Sequence, residues 1–139
     1  RYATEDAHFQ IKEIDLGLVA DVGTLQRLPT LVPQGIVREL AFTGRSFDGK
    51  EALSMGLLNN CYENKESLMQ GVLEVARSIA AKSPLAISGI KETLLYSRDH
   101  TVQESLNQVA TWNSAMLLSE DLEEAMMAQL QNRTAKFSD

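Results

Sequence analysis

Repeated helix-start signals are the feature of this sequence that most restricts its fold. Ser, Thr, Asp and Asn side chains accept hydrogen bonds from the free N–H groups of a first helical turn, and proline fits a first helical position. Such residues precede apolar residues at helical spacing at Pro33, Asp48 with Glu51, Asn64, Ser83 with Pro84, Thr101 with Glu104, and Ser119. From residue 33 onward, the sequence therefore predicts consecutive helices and a single weak strand at 57–62.

The apolar residues of these predicted helices form several separate faces. The faces are Ile36, Val37, Leu40 and Ala41; Leu68, Val72, Val75 and Ile79; Leu106, Val109 and Met116; and Leu122, Met126 and Leu130. Each face needs a partner surface because exposed apolar area is unfavourable in water. We expect that partner to be other subunits or a preceding half of a longer protein, since the chain begins with neither Met nor a signal-like segment.

The first 32 residues are mixed rather than helical. Strand ends are predicted at 1–3 and 9–11, on either side of an acidic turn at 4–6. Asp21 precedes a short helix that its carboxylate is placed to cap. We therefore predict two parts, a mixed region at 1–64 and a helical region at 65–139.

Composition argues against several classes of function. A net charge of −6 over 139 residues disfavours general binding to nucleic acid or to anionic membranes. No apolar run approaches the roughly 20 residues that span a bilayer. The single cysteine, Cys61, precludes an internal disulfide, and His8 and His100 show no metal-ligand spacing. We predict no nucleic-acid partner, no membrane span and no bound metal.

Three acids, Glu13, Asp15 and Asp21, lie in the otherwise apolar segment 12–28. From pattern alone, Glu13 is a surface charge at a strand end and Asp21 is a helix N-cap. The functional alternative is a pair of proton-transferring carboxylates in an apolar pocket. The side chains expected to line such a pocket are Ile14, Leu16, Leu18 and Val19. Neither the spacing nor the composition decides between these interpretations.

Three long blocks carry a family likeness. They are FQIKEIDLGLVADVGTLQRLP at 9–29, LAFTGRSFDGKEALSMGLLNN at 40–60 and AAKSPLAISGIKETLLYSRDH at 80–100. In order and spacing they resemble the crotonase, or enoyl-CoA hydratase/isomerase, superfamily over essentially the whole chain. The resemblance implies an α/β crotonase fold, a spiral of ββα turns of which this chain is the C-terminal, predominantly α-helical part. It also implies that 1–64 ends the spiral and that the helices of 65–139 assemble homotrimers or dimers of trimers.

Within the superfamily, the segments 12–29 and 96–106 resemble dienoyl-CoA isomerases, which convert 3,5-dienoyl-CoA to 2,4-dienoyl-CoA in fatty-acid β-oxidation. The likeness implies that Glu13 and Asp21 are catalytic carboxylates, with Glu13 at the C2 end of the diene and Asp21 at the C6 end. Related hydratases keep the glutamate but have glycine where this chain has Asp21. No catalytic position of the family falls on Asp15, for which we expect a structural or solvated role.

The resemblance also implies what lies outside this sequence. The family's oxyanion-hole donors and a further acidic residue fall before Arg1, so we expect residues 1–139 alone to be inactive. The resemblance implies no metal and no redox cofactor. CoA is part of the acyl-CoA substrate and is not a separate cofactor. An enoyl-CoA hydratase, a 3,2-enoyl-CoA isomerase and a non-catalytic acyl-CoA-binding protein are the alternatives. Mitochondria and peroxisomes are both implied, with mitochondria favoured because the ending FSD differs from the peroxisomal Ser-Lys-Leu signal.

Overall fold

A computed structural model describes residues 1–138 of the chain, which divides into the compact units Arg1–Glu74 and Val75–Asp139. The strands are β1 (Tyr2–Thr4), β2 (His8–Phe9), β3 (Phe47–Asp48) and β4 (Asn60–Tyr62). The α-helices are α1 (Thr24–Arg27), α2 (Gln34–Thr43), α3 (Gly49–Ser54), α4 (Lys65–Ala80), α5 (Pro84–Tyr96), α6 (Val102–Met116) and α7 (Glu120–Leu130). Short 3₁₀ turns occupy Glu13–Leu16 and Leu28–Thr30. Within 1–138, no helix has the length and apolar character needed to cross a membrane.

Two small sheets organise the first unit. β1 and β4 are parallel, with Ala3 opposite Cys61, whereas β2 and β3 are antiparallel, with Phe9 opposite Phe47. The rings of Phe9 and Phe47 stack with their centroids 5.3 Å apart. Because β2 leads directly toward the 3₁₀ turn Glu13–Leu16, the stacked pair fixes the point from which the chain enters that turn.

The strand predicted at 57–62 is shorter in the structure, where β4 covers only its last three residues, Asn60–Tyr62. The amides of Leu57 and Leu58 donate to the carbonyl of Ala52 at 2.9 and 3.2 Å. These bonds satisfy the end of α3. Since the two amides are already used there, pairing with β1 begins later in the chain.

The core of the first unit is built on the inner face of α2. Leu40 is fully buried and Val37 is buried, while Ile36 and Ala41 pack beside them half-buried, as their helical spacing predicted. The other buried members of this cluster are Ala3, Ile11, Ala20, Leu28, Val32, Phe47, Ala52, Met55 and Leu58. A single core therefore joins strand residues, α2, α3 and the segment between residues 11 and 20.

Side-chain caps begin the helices where the sequence predicted them. A side-chain oxygen accepts the backbone N–H three residues ahead at Asp48, Asn64, Ser83, Thr101 and Ser119. Thr101 and Glu104 complete a reciprocal capping box at the start of α6. Local chemistry is therefore sufficient to place these helix starts.

Two predicted starts differ in detail. Pro33 is the N-cap of α2 rather than its first helical residue. At α3, Asp48 caps as predicted, but the carboxylate of Glu51 binds the guanidinium of Arg45, with Arg45 Nη2 2.6 Å from Glu51 Oε1. The hydrogen bond from Arg45 lowers the pKa of Glu51. The carboxylate of Glu51, which a full capping box would use, is thus bound in an ion pair with Arg45.

In the described part of the second unit, the regular elements are all helices, and most residues of its predicted apolar faces are exposed. Trp112 of α6 lies against Gly89 of α5, which explains why the two helices pair closely. By contrast, Leu118 is 99% exposed and Leu130 is 76% exposed, and Met126 of α7 is also exposed. The predicted need for a partner surface is therefore visible in the structure.

An ion pair connects α7 of the second unit to the segment that follows it. The guanidinium of Arg133 donates to both carboxylate oxygens of Glu124, at 2.5 and 2.8 Å, and the backbone N–H of Lys136 donates to the same carboxylate at 2.7 Å. The hydrogen bonds from Arg133 and Lys136 lower the pKa of Glu124 from 4.5 to about 2. This carboxylate joins α7 to the segment that follows it.

We expect Glu124→Gln to lower the unfolding temperature at neutral pH, because the charged partner of Arg133 is lost. A carboxyl group with a depressed pKa stabilises the folded state above its unfolded pKa and loses that effect as pH falls through the folded value. The difference from wild type should therefore shrink between pH 4.5 and about 2. Thermal unfolding followed at several pH values measures this, with the neighbouring Glu123→Gln as the charge-matched control. A constant difference across the range would contradict the prediction.

Candidate functional site

Glu13 lies in a 3₁₀ turn and not at a strand end, so the interpretation of Glu13 as a strand-end charge is wrong. The backbone bonds of the turn include Asp15 N–H to Lys12 O at 3.0 Å, Gly17 N–H to Ile14 O at 3.1 Å, and Leu18 N–H to Glu13 O at 3.0 Å. The chain then continues without regular structure to Ala20, which is buried. The turn therefore presents Glu13 between two buried positions, Ile11 and Ala20.

The half-buried Glu13 side chain lines a cleft of about 160 Å³ in the first unit. The other residues of the cleft are Ile11, Ile14, Leu18, Val19, Ala20, Leu25, Ala41 and Phe42. All of these are apolar, so Glu13 is the one ionisable group among the lining residues that the structure describes. A carboxylate among apolar walls suits the transfer of a proton to or from a bound hydrophobic group.

The lining agrees with the prediction in part. Ile14, Leu18 and Val19 line the cleft as expected, but Leu16 does not, and its side chain is 67% exposed.

Phe42 is a lining residue that the sequence interpretation missed. It belongs to α2, whose core face is formed by Val37 and Leu40, and it is 73% exposed. A large aromatic side chain placed outside the core face of an amphipathic helix is the signal that indicated a second surface on α2. That surface is the wall of the cleft opposite the Glu13 turn.

Asp21 is exposed and does not cap α1, so the N-cap prediction is wrong. The N-cap position is occupied by Gly23, whose φ of 90° lies in the left-handed region that favours glycine. The helix therefore begins at Thr24, after Val22 and Gly23, and not directly after Asp21. Asp21 directly follows Ala20, which lines the cleft, but Asp21 itself is not among the lining residues.

Asp15 has a specific partner. Its carboxylate oxygen Oδ2 accepts a hydrogen bond from the side-chain amide of Gln10 at 3.2 Å. Of the three acids in the segment, Glu13 therefore lines the cleft, Asp15 contacts Gln10, and Asp21 is exposed and follows the lining residue Ala20 in sequence. Within residues 1–138, no three His, Cys, Asp or Glu side chains are grouped so that they would hold a metal ion.

Comparison with known proteins gives a consistent likeness. The family described as enoyl-CoA hydratase/isomerase matches residues 1–139. The chain is 51% identical over 138 residues to the peroxisomal Delta(3,5)-Delta(2,4)-dienoyl-CoA isomerase of Arabidopsis thaliana, covering 99% of this chain and 50% of the relative. It is 49% identical over 137 residues to the mitochondrial protein of that name from Homo sapiens, covering 98% and 42%. The chain thus spans about half the length of the curated relatives it matches.

Solved structures agree at the level of the fold. An enoyl-CoA hydratase from Bacillus anthracis superimposes with a TM-score of 0.92 at 27% identity, covering 99% of this chain and 53% of that one. An enoyl-CoA hydratase from Mycobacterium tuberculosis H37Rv gives 0.91 at 29% identity, covering 99% and 54%. The predicted crotonase fold and the predominance of helices in this part of it are therefore confirmed.

We expect Asp21→Ala to change the free energy of unfolding by less than about 0.5 kcal/mol, because the side chain is exposed and caps no helix. Asp48→Ala is the matched comparison, since Asp48 caps α3 with a 2.8 Å bond to the amide of Glu51. Its loss should cost about 1 kcal/mol. Chemical denaturation of both variants measures the contrast, and equal losses would show that Asp21 has a structural role.

Proposed function

Because the chain belongs to the enoyl-CoA hydratase/isomerase family, we propose that the whole protein is a dienoyl-CoA isomerase of fatty-acid β-oxidation, converting 3,5-dienoyl-CoA to 2,4-dienoyl-CoA. The observation that carries the proposal is a carboxylate in an apolar cleft, Glu13, with a second acid, Asp21, directly after the lining residue Ala20 in sequence. The names of the Arabidopsis and human relatives support the same reaction.

The reaction needs two proton transfers at opposite ends of a conjugated system. Removal of a proton from C2 gives an enolate whose negative charge is shared by the thioester oxygen, C2, C4 and C6. Addition of a proton at C6 then leaves double bonds at C2–C3 and C4–C5. One proton is lost and one gained, so a base at one end and an acid at the other complete the reaction without a redox step.

Glu13 is the proposed base at C2 and Asp21 the proposed acid at C6. The apolar lining around Glu13 supports this assignment, because an acyl chain of low polarity fits against Ile14, Leu18 and Phe42. Asp21 follows the lining residue Ala20 and is not itself a lining residue, so we propose that it acts on a carbon more distant from the thioester. Both residues are proposed as catalytic residues that contact the reacting atoms.

The enolate oxygen needs hydrogen-bond donors while it carries charge. We propose that these donors come from the half of the relatives' length that residues 1–139 do not span. The cleft described here would then supply the proton-transferring groups, and the remaining half would supply the oxyanion hole. The proposed activity therefore belongs to the whole protein.

We propose that this protein acts in mitochondria or peroxisomes. The human relative is named as mitochondrial and the Arabidopsis relative as peroxisomal. Either compartment suits a substrate of fatty-acid β-oxidation.

We propose that the open apolar faces of the second unit are covered by other copies of the protein in a homotrimer or a dimer of trimers. The exposure of Leu118, Met126 and Leu130 supports an interface, since large exposed apolar patches mark contact surfaces. Light scattering coupled to gel filtration of the full-length protein should give a mass of three or six chains. A monomer at micromolar concentration would contradict this assembly.

Exchange of either carboxylate for its amide should abolish the proposed reaction. We expect Glu13→Gln and Asp21→Asn, each in the full-length protein, to lower kcat for a 3,5-dienoyl-CoA by at least about 100-fold, because the amide transfers no proton. The measurement is the rise in ultraviolet absorbance of the 2,4-dienoyl product.

The control is Asp6→Asn, which removes an exposed acid in the turn between β1 and β2 and should leave kcat unchanged. Full activity of Asp21→Asn would contradict the role of Asp21. Wild-type protein that hydrates 2-enoyl-CoA but does not isomerise the diene would instead identify a hydratase, and wild-type protein with neither activity would indicate a binding protein.

A further inference from the structure

The side-chain amide of Gln10 joins two parts of the first unit that are distant in sequence. Its Nε2 donates to the carbonyl of Gly44 at 2.6 Å and to Asp15 Oδ2 at 3.2 Å. A primary amide has two N–H donors, so both bonds can form at once. Gln10 follows β2, Asp15 belongs to the Glu13 turn, and Gly44 ends α2.

The Gly44 side of this arrangement is firmly anchored. The N–H of Gly44 donates to the carbonyl of Leu40, the fully buried residue of α2, at 3.0 Å. The next residue, Arg45, is held by Glu39 at 2.8 Å and by Glu51 at 2.6 Å. The carbonyl that receives the Gln10 bond is therefore a fixed point attached to the core.

The other side of the arrangement is the turn that carries Glu13. A Cβ atom at Gly44 would lie 2.7 Å from Ile14 Cγ2 and 3.0 Å from Asp15 Oδ1, so these two side chains already lie directly against the backbone of Gly44. The φ of Gly44, 61°, is also one that glycine favours. Contact and hydrogen bonding thus tie both residues that follow Glu13 to the end of α2.

We infer that Gln10, Asp15 and Gly44 form a clasp that holds the Glu13 turn in place, and that Gln10 and Asp15 are positioning residues for Glu13. The inference rests on the proposed function, since it assigns them a role in proton transfer from C2. Neither side chain lines the cleft, so both act through Glu13 and do not touch the substrate.

The physical need for a clasp follows from the form of the turn. The turn is a single 3₁₀ turn of four residues with few bonds of its own, and its residues from Ile14 to Gly17 are exposed. Short turns of this kind hold their geometry weakly. Proton transfer requires the carboxylate to stay within hydrogen-bond reach of C2, and small misplacements of a catalytic group lower the rate strongly.

The two side chains of the clasp are exposed, which limits its effect on global stability more than its effect on catalysis. Gln10 and Asp15 are both exposed side chains; the bond between them is exposed and the bond from Gln10 to the carbonyl of Gly44 is partly buried, and such bonds contribute only modestly to global unfolding. Removing them should loosen the turn and leave the core of α2 and the two sheets folded. Activity and local order should therefore change strongly, while the unfolding temperature changes little.

The test uses four variants of the full-length protein: Gln10→Ala, Asp15→Ala, Asp15→Asn and Gln34→Ala. The first two break the clasp. Asp15→Asn retains an oxygen that accepts the Gln10 bond and should behave as wild type. Gln34→Ala removes an exposed amide of the same kind from the start of α2, away from the clasp, and is the control.

We expect Gln10→Ala and Asp15→Ala to lower kcat for the 3,5-dienoyl-CoA about tenfold with KM within twofold of wild type. Amide hydrogen exchange over residues 13–18 should become faster in both, with exchange in α2 unchanged. Unchanged kcat in these variants would overturn the inference, and so would a loss of kcat that merely follows the loss of folded protein. An Asp15→Asn variant as slow as Asp15→Ala would also overturn it.

The exchange measurement separates this inference from the proposed function. If wild-type protein does not isomerise the diene, the proposed function fails, and the inferred role in proton transfer fails with it. The faster exchange of residues 13–18 in the two Ala variants would then still show that the clasp orders the turn. If wild-type protein is active and exchange is unchanged, the clasp alone is refuted.

Discussion

The end of α2 at Gly44 is the contact on which the first unit depends. Leu40 buries the helix in the core, Arg45 binds two carboxylates just beyond it, and Gly44 receives the turn that carries Glu13. A glycine in the left-handed conformation ends the helix and also leaves the space that Ile14 occupies. Helix termination, core packing and placement of the site therefore meet within a few residues.

Sequence reasoning succeeded where the signal was local. Caps at Asn64, Ser83 and Thr101 depend on one side chain and an amide three residues ahead, so the pattern contains all the necessary information. It failed at Asp21, because the left-handed Gly23 delays the helix, and at 57–62, because Leu57 and Leu58 bond to the end of α3. In both cases the outcome depends on which of two alternative backbone arrangements forms. A single stretch of sequence does not show which one is preferred.

The candidate site shows the same division. The acids Glu13 and Asp21 stand out in the sequence, and the family likeness selects them as the functional pair. Phe42 and Gln10 do not stand out, because each acts across a gap of about thirty residues that only folding closes. The acids proposed to transfer protons could thus be selected from the sequence, whereas the residues that shape and hold the cleft required the structure.

The close packing around Gly44 determines which parts of the sequence must be kept together for this site to form. The block at 9–29 carries the acids, but the surface that orients the turn belongs to the block at 40–60. The two blocks fit each other at Gly44. Its carbonyl accepts the Gln10 bond, and its lack of a side chain leaves space for Ile14. The smallest exchangeable module of the site is consequently the pair of blocks together. A graft of the acidic segment alone onto another scaffold transfers the residues without their alignment.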